Sequence, residues 1–208
     1  AGSGNITGVS LRLLESLKAP ELSVIYIQPD VEMLSSDAKK REFAVKNILQ
    51  EYARSGVLQS ITLIDNLEVE RIAGDTVLSE YWDSINQAIV STVHMMNVFE
   101  HSTPVMSTAS DIPVTARIKT IGQADFETGE ESLFYTLEYT REKQYLYALN
   151  EKRVDEEPGL IKRINRKIKF LSSDNIRASY SICTTKYEND YVFMTHSATI
   201  VQNKNLLS

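Results

Sequence analysis

Hydrophobic positions in this chain alternate between a helical period and short unbroken runs. Leu11, Leu14 and Leu17 recur at helical spacing behind Gly2, Gly4 and Gly8, and Pro20 stops the pattern. Residues 22–29, LSVIYIQP, form a continuous apolar run, which predicts a strand buried on both faces of a parallel sheet. Residues 35–56, SSDAKKREFAVKNILQEYARSG, predict a helix capped by Ser36 or Asp37 and closed by Gly56. Its apolar face reads as Ala44, Ile48 and Tyr52 with Val45 and Leu49. A second buried strand is predicted in LQSITLID, over residues 61–64. Helix, strand, helix, strand is the alternation of a parallel sheet covered by helices.

Residues 76–101 carry the longest helical pattern, with Leu78, Ile85, Ile89, Val93 and Met96 on one side. A helix of about 20 residues spans roughly 30 Å, enough to cross a domain. Pro104 and Pro113 end it and mark a loop. From Thr115 the texture changes. TARIKTI, SLFYTLEYT and QYLYALN are rich in β-branched and aromatic residues and predict strands. Pro158 opens a helix running to Leu171, with Leu160, Ile161, Ile164 and Ile168 on one side. NIRASYSICTT and YVFMTHSATIV alternate by two around ENDY, which predicts a hairpin. The fold class is therefore α/β: a Rossmann-like parallel sheet with flanking helices over 1–100, including the long central helix, then a smaller α+β domain with a mixed sheet over 101–208.

Composition narrows the function classes. The 208 residues are 42% apolar and 24% charged, enough for an ordinary core. A net charge of -6 disfavours generic nucleic-acid binding by bulk electrostatics. Cys183 is the single cysteine, so no internal disulfide forms and a reducing cytoplasm is expected. No apolar run approaches the roughly 20 residues of a membrane span.

Four stretches can carry chemistry. The opening AGSG precedes a helix, where small residues and the helix N-terminus suit a phosphate, or simply a turn. Asp65 and Asn66 stand where a buried strand ends, the place where parallel sheets gather ligands; Asn66 either bonds a ribose or base, or caps a turn. Trp82 and Asn86 are four apart on one helix face, a ring that can stack on a base beside an amide that can read its edge, or a core tryptophan beside a polar cap. Asp111 is an isolated loop carboxylate, either a turn-former or a group that orients water for phosphate hydrolysis. His94, His101 and His196 have no metal-ligand spacing. Lys162, Arg163, Arg166, Lys167 and Lys169 lie opposite an apolar helix face and read as a solvated or subunit-contacting surface, with nucleic-acid contact as the alternative.

The order of these pieces resembles the tubulin/FtsZ superfamily of GTPases, closest to TubZ, its plasmid and phage branch. AGSG is similar to the end of the superfamily's glycine-rich signature, ITLIDN to the strand and loop ending in Ile-Asp-Asn, and YWDSINQAIVS lies on the corresponding long helix. The resemblance covers residues 1–121 well. It implies that Gly2, Ser3 and Gly4 cradle the phosphates of GTP or GDP, with Mg²⁺ as their counter-ion. It implies that Asn66 lies near the sugar and base, that Trp82 stands beside guanine and that Asn86 reads it. Asp111 matches the acidic residue that the family inserts into the next subunit's nucleotide site, so hydrolysis would depend on stacking. The implied partners are further copies of the chain in a longitudinal cytoplasmic polymer and a DNA-adaptor protein, with no direct DNA or membrane contact. The implied role is positioning of plasmid or phage DNA, with cell division as the alternative. Val114 stands where the family usually carries a second polar or acidic residue, which favours the rival reading of a non-hydrolysing structural member. A third reading is an unrelated Rossmann-type enzyme. The family places several strands before the glycine-rich signature, so the chain is expected to be part of a longer protein.

Overall fold

A computed structural model describes residues 7–17, 21–74, 77, 79–109 and 115–203. Helix α1 (Thr7–Ser16) lays Leu11 and Leu14 against the core, whereas Leu17 lies beyond its end and is exposed. Strand β1 (Ser23–Gln28) follows, then helix α2 (Ser36–Ser55) and strand β2 (Ser60–Asp65). Strands β1 and β2 pair in parallel. The N-cap of α2 is Ser35, one residue earlier than predicted; its hydroxyl accepts from the Ala38 N–H. Gly56 closes α2 in the left-handed region, at φ 86°.

Two sequence expectations fail in this half. Strand β2 is buried along both faces, but β1 is not: Tyr26 and Gln28 are buried while Ile25 is 49% exposed. Tyr26 and Gln28 face α2, whereas Ser23 and Ile25 on the other face line an open groove. The buried face of α2 is Ala38, Glu42, Lys46, Leu49, Gln50 and Ala53, and both Ala44 and Ile48 are exposed. Polar groups brought by distant segments accept this polar stripe. The Gln50 side chain, for example, makes two hydrogen bonds with the backbone of Gln202.

Directly after β2 comes helix α3 (Asn66–Ala73). Helix α4 (Tyr81–Glu100) is the long helix, burying Ile85, Ile89, Thr92 and Phe99 with Val93 and Met96 packed alongside; Leu78 lies outside the described residues. The loop after α4 contains a two-residue strand β3 (Met106–Ser107).

The remaining elements are strands β4 (Ile118–Ala124), β5 (Glu131–Leu133) and β6 (Glu142–Asn150), helices α5 (Glu151–Glu156) and α6 (Leu160–Leu171), and strands β7 (Arg177–Thr185) and β8 (Tyr191–Ala198). Of SLFYTLEYT only the first residues are strand, although Phe134 and Tyr135 are buried. Leu160, Ile164 and Ile168 of α6 point inward as expected; Ile161 is 44% exposed. The strand order is β1-β2-β4-β8-β6-β7-β3, with β5 paired to β4, so the eight strands among the described residues form one mixed sheet.

The predicted hairpin of β7 with β8 does not form. Strand β6 lies between them, parallel to β7 and antiparallel to β8. Residues 186–190 therefore step across the end of β6, where Asn150 donates from its backbone to Asp190 Oδ1 (2.8 Å) and from its side chain to the Tyr187 carbonyl. Crossing one strand means bridging about 10 Å, which a two-residue turn cannot do.

Gly122 of β4 lets β5 approach. A Cβ there would stand 2.3 Å from Ser132 O and 2.9 Å from Leu133 Cα, both backbone atoms. Gly122→Ala is expected to cost about 1–3 kcal/mol by overpacking, read as a lowered urea midpoint with an unchanged slope.

Candidate functional site

Strand β2 ends at Asp65, and in the parallel register Asp65 lies opposite Gln28, the last residue of β1. This is the carboxyl edge of the parallel strands, where an open α/β sheet leaves a crevice for ligands. Asp65 caps α3: its Oδ1 accepts from the Leu67 N–H at 3.0 Å. Asn66 is therefore the first helical residue, half-buried at the sheet edge. Its neighbours in α3 bury Val69 against Ile85 and Ile89 of α4.

That packing places the start of α4. The Tyr81 hydroxyl donates to Glu70 Oε2 at 2.9 Å, tying the first turn of α4 to α3. Trp82 follows with its ring edge-on to Tyr81, centroids 5.1 Å apart. It is 64% exposed, and Asn86, one turn further, is exposed as well. An exposed indole and a free-standing amide on one helix face present a stacking surface beside a hydrogen-bonding edge. Among the described residues the Trp82 ring is not part of a buried cluster. Asn66, Trp82 and Asn86 thus belong to two helices packed on each other, the first of which starts at the carboxyl edge of the sheet. Gly2, Ser3, Gly4 and Asp111 lie outside the described residues.

Beneath Asp65 lies a buried polar cluster. Gln28 donates from Nε2 to Asp65 Oδ2 (3.3 Å) and accepts at Oε1 from Lys46 Nζ (2.9 Å). Glu42, one turn before Lys46 on α2, accepts from the Tyr26 hydroxyl at 3.0 Å. Lys46, Glu42 and Gln28 are 0%, 1% and 3% exposed. Burial pushes the Lys46 ammonium below its ordinary value, against the pull of Glu42, Asp65 and Glu138. Burial likewise raises the Asp65 carboxyl, although the Leu67 N–H favours its ionised form. Sequence reasoning named Asp65 but missed Gln28, Glu42 and Lys46. Their signal is the four-residue recurrence of Ala38, Glu42, Lys46 and Gln50 on α2.

The other candidates fall into structural roles. Among the described residues no three His, Cys, Asp or Glu side chains gather as a metal site. The His101 ring bonds the Asn97 carbonyl of its own helix. Of the basic residues on α6, Arg163 and Lys167 join Arg153 around the Phe126 ring, at 4.8, 5.4 and 4.1 Å, and Arg163 also pairs with Glu157 at 2.7 Å. Lys162, Arg166 and Lys169 are exposed. A groove of about 890 Å³ opens between the second half of α4 and the sheet, lined by Met96, Phe99, Lys119 and Cys183 among others, but by none of Asn66, Trp82 and Asn86. No described helix is long and apolar enough to cross a membrane.

No protein-family model and no curated protein sequence matches the chain. Solved structures do. The GDP-form protofilaments of TubZ from Bacillus thuringiensis serovar israelensis align over 98% of this chain at 16% identity, with a TM-score of 0.62. CetZ2 of Haloferax volcanii, a GTPγS-bound protofilament, aligns over 94% at 17% identity and 0.58. An empty FtsZ dimer from M. jannaschii aligns over 100% at 11% identity and 0.58. The chain spans 61%, 60% and 65% of the length of these three proteins, or about three fifths. Its architecture is the tubulin/FtsZ fold.

Proposed function

We propose, from the tubulin/FtsZ fold of this chain, that it belongs to a guanine-nucleotide-binding protein that polymerises by longitudinal stacking of its subunits and hydrolyses GTP in the assembled state. The observation that carries this reading is the junction of α3 and α4. Asn66 opens one helix at the carboxyl edge of the sheet, while Trp82 and Asn86 stand exposed on the first turns of the other. Asn66 would meet the ribose, the Trp82 ring would stack on guanine, and the Asn86 amide would bond the purine edge. Gly2, Ser3 and Gly4 would receive the phosphates on backbone N–H groups. Mg²⁺ would accompany the triphosphate and offset its charge.

Two of the similar structures are protofilaments carrying GDP or GTPγS, which supports both the ligand and the polymer. Filaments of this kind in the cytoplasm would position plasmid or phage DNA through an adaptor protein.

Trp82 is the only tryptophan of these 208 residues. GTP added to the full-length protein is expected to quench the part of the tryptophan emission that Trp82→Phe removes, and ATP to leave it unchanged. Base–aromatic stacking contributes about 1–3 kcal/mol, so Trp82→Ala should weaken GTP binding about 5- to 150-fold. Equal quenching by both nucleotides would remove the guanine assignment.

A further inference from the structure

We propose that Gln28 and Lys46 are positioning residues for the nucleotide site. The Lys46 ammonium, acting through the Gln28 amide, holds the Asp65 carboxylate that starts α3 and so sets the place of Asn66. This inference rests on the guanine-nucleotide reading and names the means by which α2 takes part in it.

The connection is continuous. Lys46 Nζ donates to Gln28 Oε1 at 2.9 Å, Gln28 Nε2 donates to Asp65 Oδ2 at 3.3 Å, and Asp65 Oδ1 receives the Leu67 N–H at 3.0 Å. Both oxygens of the carboxylate are engaged, one by the amide and one by the helix backbone, so its orientation is set from two sides. An amide can accept from an ammonium and donate to a carboxylate at once. A carboxylate at position 28 would still hold Lys46 but would repel Asp65.

Stability does not account for the cluster. Replacing a buried ionic group by apolar side chains of similar volume is often neutral or stabilising, and α2 here buries Glu42 and Lys46 almost completely. The cluster instead gives the junction of β2 and α3 a single geometry. Asn66, the next residue, is the one assigned to the nucleotide.

The test measures GTP affinity by calorimetry on the full-length protein, with urea stability measured in parallel. Gln28→Glu is expected to weaken GTP binding about tenfold, the worth of roughly one hydrogen bond. The double variant Gln28→Glu/Asp65→Asn restores a donor facing an acceptor with the polarity reversed, and it should return to within about twofold of the unaltered affinity. Should Gln28→Glu fail to fold, Gln28→Asn supplies the same comparison, because its shorter amide cannot bridge Lys46 and Asp65. A folded single variant that binds GTP as tightly as the unaltered protein overturns the positioning role and leaves the nucleotide reading intact. So does a folded double variant that recovers stability but not affinity. Absence of GTP binding by the unaltered protein overturns both.

Discussion

The Asp111→Ala protein is expected to hydrolyse GTP about 100- to 10,000-fold more slowly, the usual contribution of a group that takes or orients a proton in the transition state. Nucleotide binding and assembly should persist. The expectation follows from the proposed stacking, in which Asp111 of one subunit meets the attacking water at its neighbour's γ-phosphate. The flanks of this loop are anchored independently of the carboxylate. Before it, the Ser107 and Ser181 hydroxyls lie 2.8 Å apart and the Thr108 N–H donates to the Tyr180 carbonyl at 2.8 Å. After it, β4 enters the sheet at Ile118. The substitution should therefore lower kcat with little change in KM, the mark of an interaction made only in the transition state. Phosphate release and light scattering on the same samples separate the two properties. Turnover per molecule should also rise with protein concentration. Unchanged turnover in Asp111→Ala would remove the catalytic assignment, and a flat concentration dependence would remove the stacking.

Acid should destabilise the fold by about 3 kcal/mol through His196 alone. This side chain is 2% exposed on β8, and its Nε2 lies 3.6 Å from Glu131 Oε2 without a hydrogen-bond partner. Burial pushes the imidazole down to about 4 from its ordinary 6.5; Glu131 pulls the other way, and Lys143 adds to the depression. Glu131 is itself engaged by Lys143 at 3.2 Å and by the Tyr145 hydroxyl. Between these two values the unfolded chain binds a proton that the folded chain refuses. Stability is thus complete above about pH 6.5, declines as pH falls toward 4, and loses no more from this group below that. Urea unfolding at a series of pH values, compared between the unaltered protein and His196→Gln, isolates the effect. The variant should show a shallower slope through this window, and identical slopes would refute the assignment.

How much of this was legible in the sequence depended on whether the deciding partner was local. Strand β2 announces itself because Ile61, Leu63 and Ile64 are apolar in a short run and Asp65 caps the next helix. Gly56 is readable as a helix stop because the chain there needs a positive φ. The buried face of α2 follows its recurrence of four, not its apolar residues. Its apolar candidates Ala44 and Ile48 face solvent, while Glu42, Lys46 and Gln50 are buried because Tyr26, Gln28 and Gln202 meet them. The pairing of β7 and β8 failed for a related reason: alternation identifies a strand but not its neighbour, and β6 takes the place between them. In the candidate site, Asn66, Trp82 and Asn86 are proposed from the order of motifs. The residues beneath them are not, since nothing in the sequence near Lys46 indicates that Gln28 and Asp65 lie against it.

Among the described residues, strand β8 lies between β4 and β6 and is the only strand joining β1-β2-β4 to β6-β7-β3. It is also the last of the described strands in chain order. While the ribosome is still short of residue 191, the growing polypeptide carries two separate part-sheets. Each would have an open backbone edge, one on β4 and one on β6. Such edges are templates for pairing with other nascent molecules. A truncation ending before β8 should therefore precipitate during expression, even though most of the sheet has already been made.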